Sequence, residues 1–213
     1  MLLPNRPNFD VSHPNPMPNG DSRALVRSWR LRYVPVRAAL VALAAVCLGL
    51  WVTCGTVSTV SADEIGSYIR GHTSGGGSVV ALWMRLCAAQ IPLYVLLFCA
   101  GLTRFSGALT NGVLLVCGMA DGATLALLWH LASIGSAPTA LFVAFLLRAA
   151  AELVFRVCMA TAACRLARRM DDRECEGAGN YLTVGLLARY VVAFVLIVGA
   201  VAAACLGYAV LIF

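Results

Sequence analysis

The chain contains no lysine and little charge of any kind: 12% of its residues are charged, and all sixteen basic side chains are arginine. Soluble globular domains carry about 25% charged and about 45–50% apolar residues, whereas 61% are hydrophobic here. That balance excludes an ordinary soluble protein and predicts an integral membrane protein with several spans. A length of 213 residues leaves room for one membrane domain and no separate soluble domain. Without lysine, the glycine-rich SGGGS at 74–78 cannot serve as a nucleotide phosphate loop, and no strand-to-helix pattern surrounds it.

Catalytic and metal-binding patterns are missing too. The nine cysteines contain no C-x-x-C pair and no Cys/His cluster with zinc spacing. Eight of them lie in apolar runs, where a thiol packs as a small hydrophobe; Cys175 alone stands in a polar stretch. His13 lies in the N-terminal tail and His72 in a polar loop, while His130 stands beside Trp129 as an expected interface anchor. A serine nucleophile would need a base held against it, and no such pairing is visible. The expectation is therefore no catalytic residue, no metal and no cofactor.

Residues 1–22, rich in Pro and Asn, read as a disordered tail and not as a signal peptide, since they lack an apolar core. RALVRSWRLRYVPVR at 23–37 interleaves Arg23, Arg27, Arg30, Arg32 and Arg37 with apolar and aromatic residues. It reads as a helix lying on an anionic membrane surface and ending near Pro35. A hydrocarbon core of about 30 Å needs about 20 apolar residues in a helix. Five stretches meet that requirement, at about 38–60, 86–103, 107–131, 138–164 and 190–213, the fourth opening on Pro138. The stretch 181–189 reads as a short interfacial helix. The prediction is an all-α polytopic bundle of about five transmembrane helices.

Arginine placement orients it. With the N-terminus inside, twelve arginines (6, 23, 27, 30, 32, 37, 104, 165, 168, 169, 173, 189) lie on the cytoplasmic side, and only Arg70 and Arg85 lie opposite. The positive-inside rule then predicts a cytoplasmic N-terminus and an external C-terminus. A flexible external loop would span 61–85, and a solvated internal loop 165–180. The net charge of +6 bears on orientation before partners, and no nucleic-acid partner is expected.

The fourth stretch holds FLLRAAAELVFRVC, with Arg148, Glu152 and Arg156 four residues apart on an arc of roughly 80°. An ionised group at the centre of a span costs about 2.5–3.5 kcal/mol, so this face should look at protein or water. Asp121 in the third stretch sits roughly 21 Å from Gly107, and Arg156, Glu152 and Arg148 sit roughly 13, 19 and 25 Å from Arg165. These depths predict a neutral set of four at mid-membrane, pairing Asp121 with Arg148 and Glu152 with Arg156. Asn111, Gly118 and Gly122 form one stripe, and Gly118-x-x-x-Gly122 has the spacing that lets helices approach closely. An ion-pair clasp, a proton or solute pathway and a contact with a partner helix all fit the charges. A shared-proton carboxylate dyad does not, because arginine stabilises each ionised acid.

The order of parts, with the fourth-span ELVFRVCMATAACRLARR and the third-span NGVLLVCGMADG, resembles the stage II sporulation protein M family over about residues 24–213. Glu152 stands at that family's Glu position, while Arg148 occupies the position where the family carries His. The resemblance implies a non-enzymatic scaffold that anchors a cell-wall-remodelling complex at the septal membrane during engulfment. Its implied partners are the membrane and other membrane or cell-wall-remodelling proteins, with oligomer formation left open. The competing expectation is the permease subunit of a transporter, weakened by the lack of an internal repeat.

Overall fold

The computed structural model describes residues 33–56, 78–135, 138–175 and 184–212. They form five α-helices: α1 Val34–Thr56, α2 Val79–Gly101, α3 Ser106–Ser133, α4 Thr139–Cys175 and α5 Val184–Ile212. There is no strand among the described residues. In lipid this is the expected solution, because a helix satisfies its backbone groups within itself. The expected tail at 1–22, the surface arginines Arg23, Arg27, Arg30 and Arg32, and residues 74–77 of the Gly/Ser run lie outside the described residues.

Four helices, α1, α2, α3 and α5, are long and apolar enough to cross a membrane; the protein is a membrane protein. Their outer faces carry large apolar side chains such as Leu40, Trp51, Val116 and Leu196, each more than 60% exposed, a pattern suited to lipid and not to water. The fifth helix, α4, is the longest and carries the three mid-helix charges. It also packs against all four others. The least apolar helix thus occupies the centre, where its polar side chains meet protein.

Local signals set the ends. Ser78 caps α2 by accepting the Ala81 N–H at 3.2 Å. α3 is followed, after its C-cap Ile134, by Gly135, whose φ of +74° is the left-handed conformation in which glycine closes a helix at no steric cost. Several boundaries differ from expectation. α1 starts at Val34, so Pro35 stands in its first turn, where an N–H has no helical acceptor to lose. Arg37 accordingly belongs to α1. α2 begins at Val79 and takes in Arg85, while α4 runs on to Cys175 through the expected internal loop, and α5 absorbs Arg189. Arginine is a good helix former, so these charges do not break the helix.

Packing partners fix the directions. α1, α3 and α5 run one way, and α2 and α4 run the other. α1 and α3 form the closest pair, parallel and nearly backbone to backbone. A Cβ added at Gly118 would come within 2.7 Å of the Ala45 Cβ, one at Gly122 would collide with the Val46 carbonyl oxygen, and one at Gly49 would collide with the Met119 carbonyl. Asn111, on the same stripe, is half-buried and makes no side-chain hydrogen bond among the described residues. α2 and α5 are joined by polar and aromatic contacts. Trp83 donates its indole N–H to the Ala202 carbonyl at 2.9 Å, Tyr190 donates to the Phe98 carbonyl at 3.0 Å, and the Phe98 and Tyr190 rings stack.

The α1–α3 contact makes a direct test. Gly122→Leu should destabilise the bundle by about 1–3 kcal/mol or more through overpacking. Gly112→Leu, where a Cβ meets nothing within 4 Å, should stay within about 0.5 kcal/mol. Unfolding in mixed micelles, followed by loss of helicity, separates the two; equal stability would refute the close approach.

Candidate functional site

The one concentration of charge inside the bundle is built by α3 and α4 and completed by α2 and α5. Glu152 lies at its centre. Its Oε1 accepts from Arg148 Nε at 2.6 Å and its Oε2 from Arg156 Nη2 at 2.7 Å. The i, i+4 spacing on α4 sets both pairs in line along one helix face. Arg156 then crosses to α3, where Nη1 donates to Asp121 Oδ2. Its Nη2 also reaches the Gln90 side-chain carbonyl on α2 at 3.2 Å. The set of Asp121, Arg148, Glu152 and Arg156 is formally neutral.

The surroundings exclude lipid from the middle of this set. Glu152 and Arg156 are 2% and 3% exposed, while the side chains of Asp121 and Arg148 at its flanks are 14% and 11% exposed. Tyr94, fully buried on α2, donates its hydroxyl to the Glu152 backbone carbonyl at 3.3 Å. The Arg148 guanidinium stacks over the Tyr208 ring of α5, 4.9 Å from its centroid, a contact that favours a cation away from water. Arg156 Nε has no hydrogen-bond partner among the described residues.

The four charged residues meet, but Asp121 takes a different partner from the one its depth suggested. It pairs with Arg156 and not with Arg148. Depths counted along the axis locate Cα atoms, whereas helical side chains lean toward their own N-terminus. α4 runs antiparallel to α3, so the long Arg156 side chain rises several ångströms from its level of about 13 Å toward Asp121 at about 21 Å. The same lean carries Arg148 away from Asp121 and up to Tyr208. Asn111, Gly118 and Gly122 take no part in the cluster; the two glycines face α1.

Three contributors were absent from the sequence reading: Gln90, Tyr94 and Tyr208. Gln90 had a usable signal, being the chain's only glutamine and lying in an apolar span, where an amide usually bonds across helices. The tyrosines gave none, because tyrosine is ordinary in a span. Away from this cluster, no group of three or more His, Cys, Asp or Glu is placed to hold a metal among the described residues. Thr110 and Cys164 join α3 to α4 nearer the helix ends, with Oγ1 and Sγ 3.3 Å apart.

A double-mutant cycle tests the pairing. Coupling between Asp121→Leu and Arg156→Leu should fall in the range of about 0.5–3 kcal/mol expected for residues in contact, and should exceed that between Asp121→Leu and Arg148→Leu. Glu152→Leu should be the most damaging single change, at about 3–5 kcal/mol, because it leaves two buried cations with one carboxylate. Folded yield and unfolding in mixed micelles report both; stronger coupling of Asp121 to Arg148 would reverse the assignment.

No known protein family, curated protein or solved structure matches the chain.

Proposed function

We propose that the protein is a non-enzymatic membrane scaffold, holding partner proteins at the membrane without turning over a substrate. The observation that carries this reading is the closure of the charged cluster on itself. Each carboxylate holds a guanidinium, the central Glu152 holds two, and the sum of charge is zero. A proton carrier needs an acid whose ionised form is not locked by a cation. An acid dyad needs two carboxyls sharing a proton, and here Arg156 stands between them. The apolar outer faces of four helices offer broad surface to partner helices in the bilayer.

The class of partner follows from the resemblance to the stage II sporulation protein M family: cell-wall-remodelling proteins anchored at a septal membrane during engulfment. The N-terminus is cytoplasmic and the C-terminus external. Supporting this orientation, Arg37, Arg104, Arg165, Arg168, Arg169 and Arg189 gather at one end of the bundle, against Arg85 at the other among the described residues. The permease reading draws on one observation, the partial exposure of Asp121 and Arg148 at the flanks of the cluster.

Affinity capture of the full chain from its own membranes, read by mass spectrometry, separates the two. Recovery of cell-wall hydrolases supports the scaffold; recovery of an ATPase subunit supports the permease and sinks the scaffold. Orientation is tested by reporters active only outside the cytoplasm. A fusion after Phe213 should be active and one within 171–176 silent; activity at 171–176 would overturn the topology.

A further inference from the structure

At the arginine-rich end of the bundle, residues of α4 and α5 line a cavity of about 180 Å³. Arg165 and Arg169, one turn apart on α4, and Arg189 on α5 line it, together with Leu166, Leu186 and Tyr190. All three arginines are exposed, and none has an ion pair or hydrogen bond among the described residues. Like charges at i, i+4 repel, and no described residue neutralises this trio. The Tyr190 hydroxyl is committed to the carbonyls of Leu97 and Phe98, which leaves only its ring to the cavity.

Depth identifies the environment. Glu152 marks the middle of the span, thirteen residues from both Thr139 and Arg165. Arg165 is therefore about 20 Å from the midplane and Arg169 about 26 Å. The hydrocarbon boundary lies at about 15 Å and the outer edge of the headgroups at about 20–22 Å. This puts the Arg165 backbone at the headgroup level and the Arg169 backbone just outside it, with helical side chains leaning back toward the midplane here. The cavity is smaller than the roughly 300–1,000 Å³ of an enclosed ligand pocket, so it suits a group attached to something larger outside. Below it, Val192, Val195 and Leu196 of α5 face outward, each more than half exposed.

We propose that this cavity binds one acidic glycerophospholipid, its phosphate held by Arg165, Arg169 and Arg189 and its acyl chain lying along the α4–α5 seam. Guanidinium forks match phosphate oxygens two at a time, and a cationic pocket between helix ends at the headgroup level is where an anionic lipid can reach them. The site is separate from the mid-membrane cluster and does not depend on the scaffold reading.

The test uses the purified full chain in lipid nanodiscs and native mass spectrometry, with phosphatidylglycerol against phosphatidylcholine as probes. One phosphatidylglycerol per chain should be retained and phosphatidylcholine lost. Changing Arg165, Arg169 and Arg189 together to Gln should weaken retention about ten- to a hundredfold. Arg37→Gln, which removes charge at the same end on another helix, should not. Ala193→Leu fills the cavity while keeping every arginine, and should also release the lipid, so a triple variant that fails to fold leaves the proposal exposed to a second result. Equal retention of both lipids, no lipid retained by the unchanged chain, retention by the Ala193→Leu variant, or displacement of the lipid by millimolar inorganic phosphate would each overturn it.

Discussion

The position of Arg156 between two carboxylates constrains everything around it. Opposite charges in hydrocarbon are tolerable only in contact, because neither water nor lipid can substitute for a lost partner. Once Arg156 must meet Glu152 on its own helix and Asp121 on α3, the antiparallel α3 and α4 are held at one register. Gln90 and Tyr94 then bring in α2, and the Tyr208 ring brings in α5. The most polar helix becomes the hub because each neighbour supplies it with a group that lipid cannot.

Elsewhere the bundle is assembled by fit. In lipid no hydrophobic force separates the inside of a bundle from its outside, so helices associate where backbones come close. The α1 and α4 contacts reflect this: Ala38, Ala42 and Ala45 of α1 and Ala160 and Ala163 of α4 are buried, while Leu40, Leu43 and Trp51 of α1 and Leu147 and Val154 of α4 are exposed. The α1–α3 seam carries the principle furthest, with Gly49, Gly118 and Gly122 leaving no room for a single added carbon. Charge pairing fixes α4 against α3, and small residues fix α1 against α3.

The helical bundle was legible in the sequence because long apolar runs bounded by arginine have few other solutions. Helix ends were less so. Hydropathy falls where Arg165 and Arg189 appear, but helix propensity does not, and α4 and α5 continue through them. At the charged cluster, composition and spacing singled out Asp121, Arg148, Glu152 and Arg156. The choice of partner for Asp121 depended on the lean of side chains along antiparallel helices, which axial counting omits. Gln90 was readable as an isolated amide in an apolar span. Tyr94 and Tyr208 were not, since only the packing of α2 and α5 against α4 turns them from ordinary residues into parts of the cluster.

The three charges on α4 also bear on how the protein is made. On translocon scales each costs about 2.5–3.5 kcal/mol at mid-span, and a leucine, valine or phenylalanine returns only about 0.3–0.6 kcal/mol. Roughly six such residues would be needed per charge, and α4 spends much of its span on alanine instead. It is therefore a poor candidate for leaving the insertion channel alone. α3 emerges just ahead of it, joined by the short stretch 134–138, and carries Asp121. Biogenesis would then proceed through a helical hairpin, with α4 held beside the channel until Arg156 has found its carboxylate.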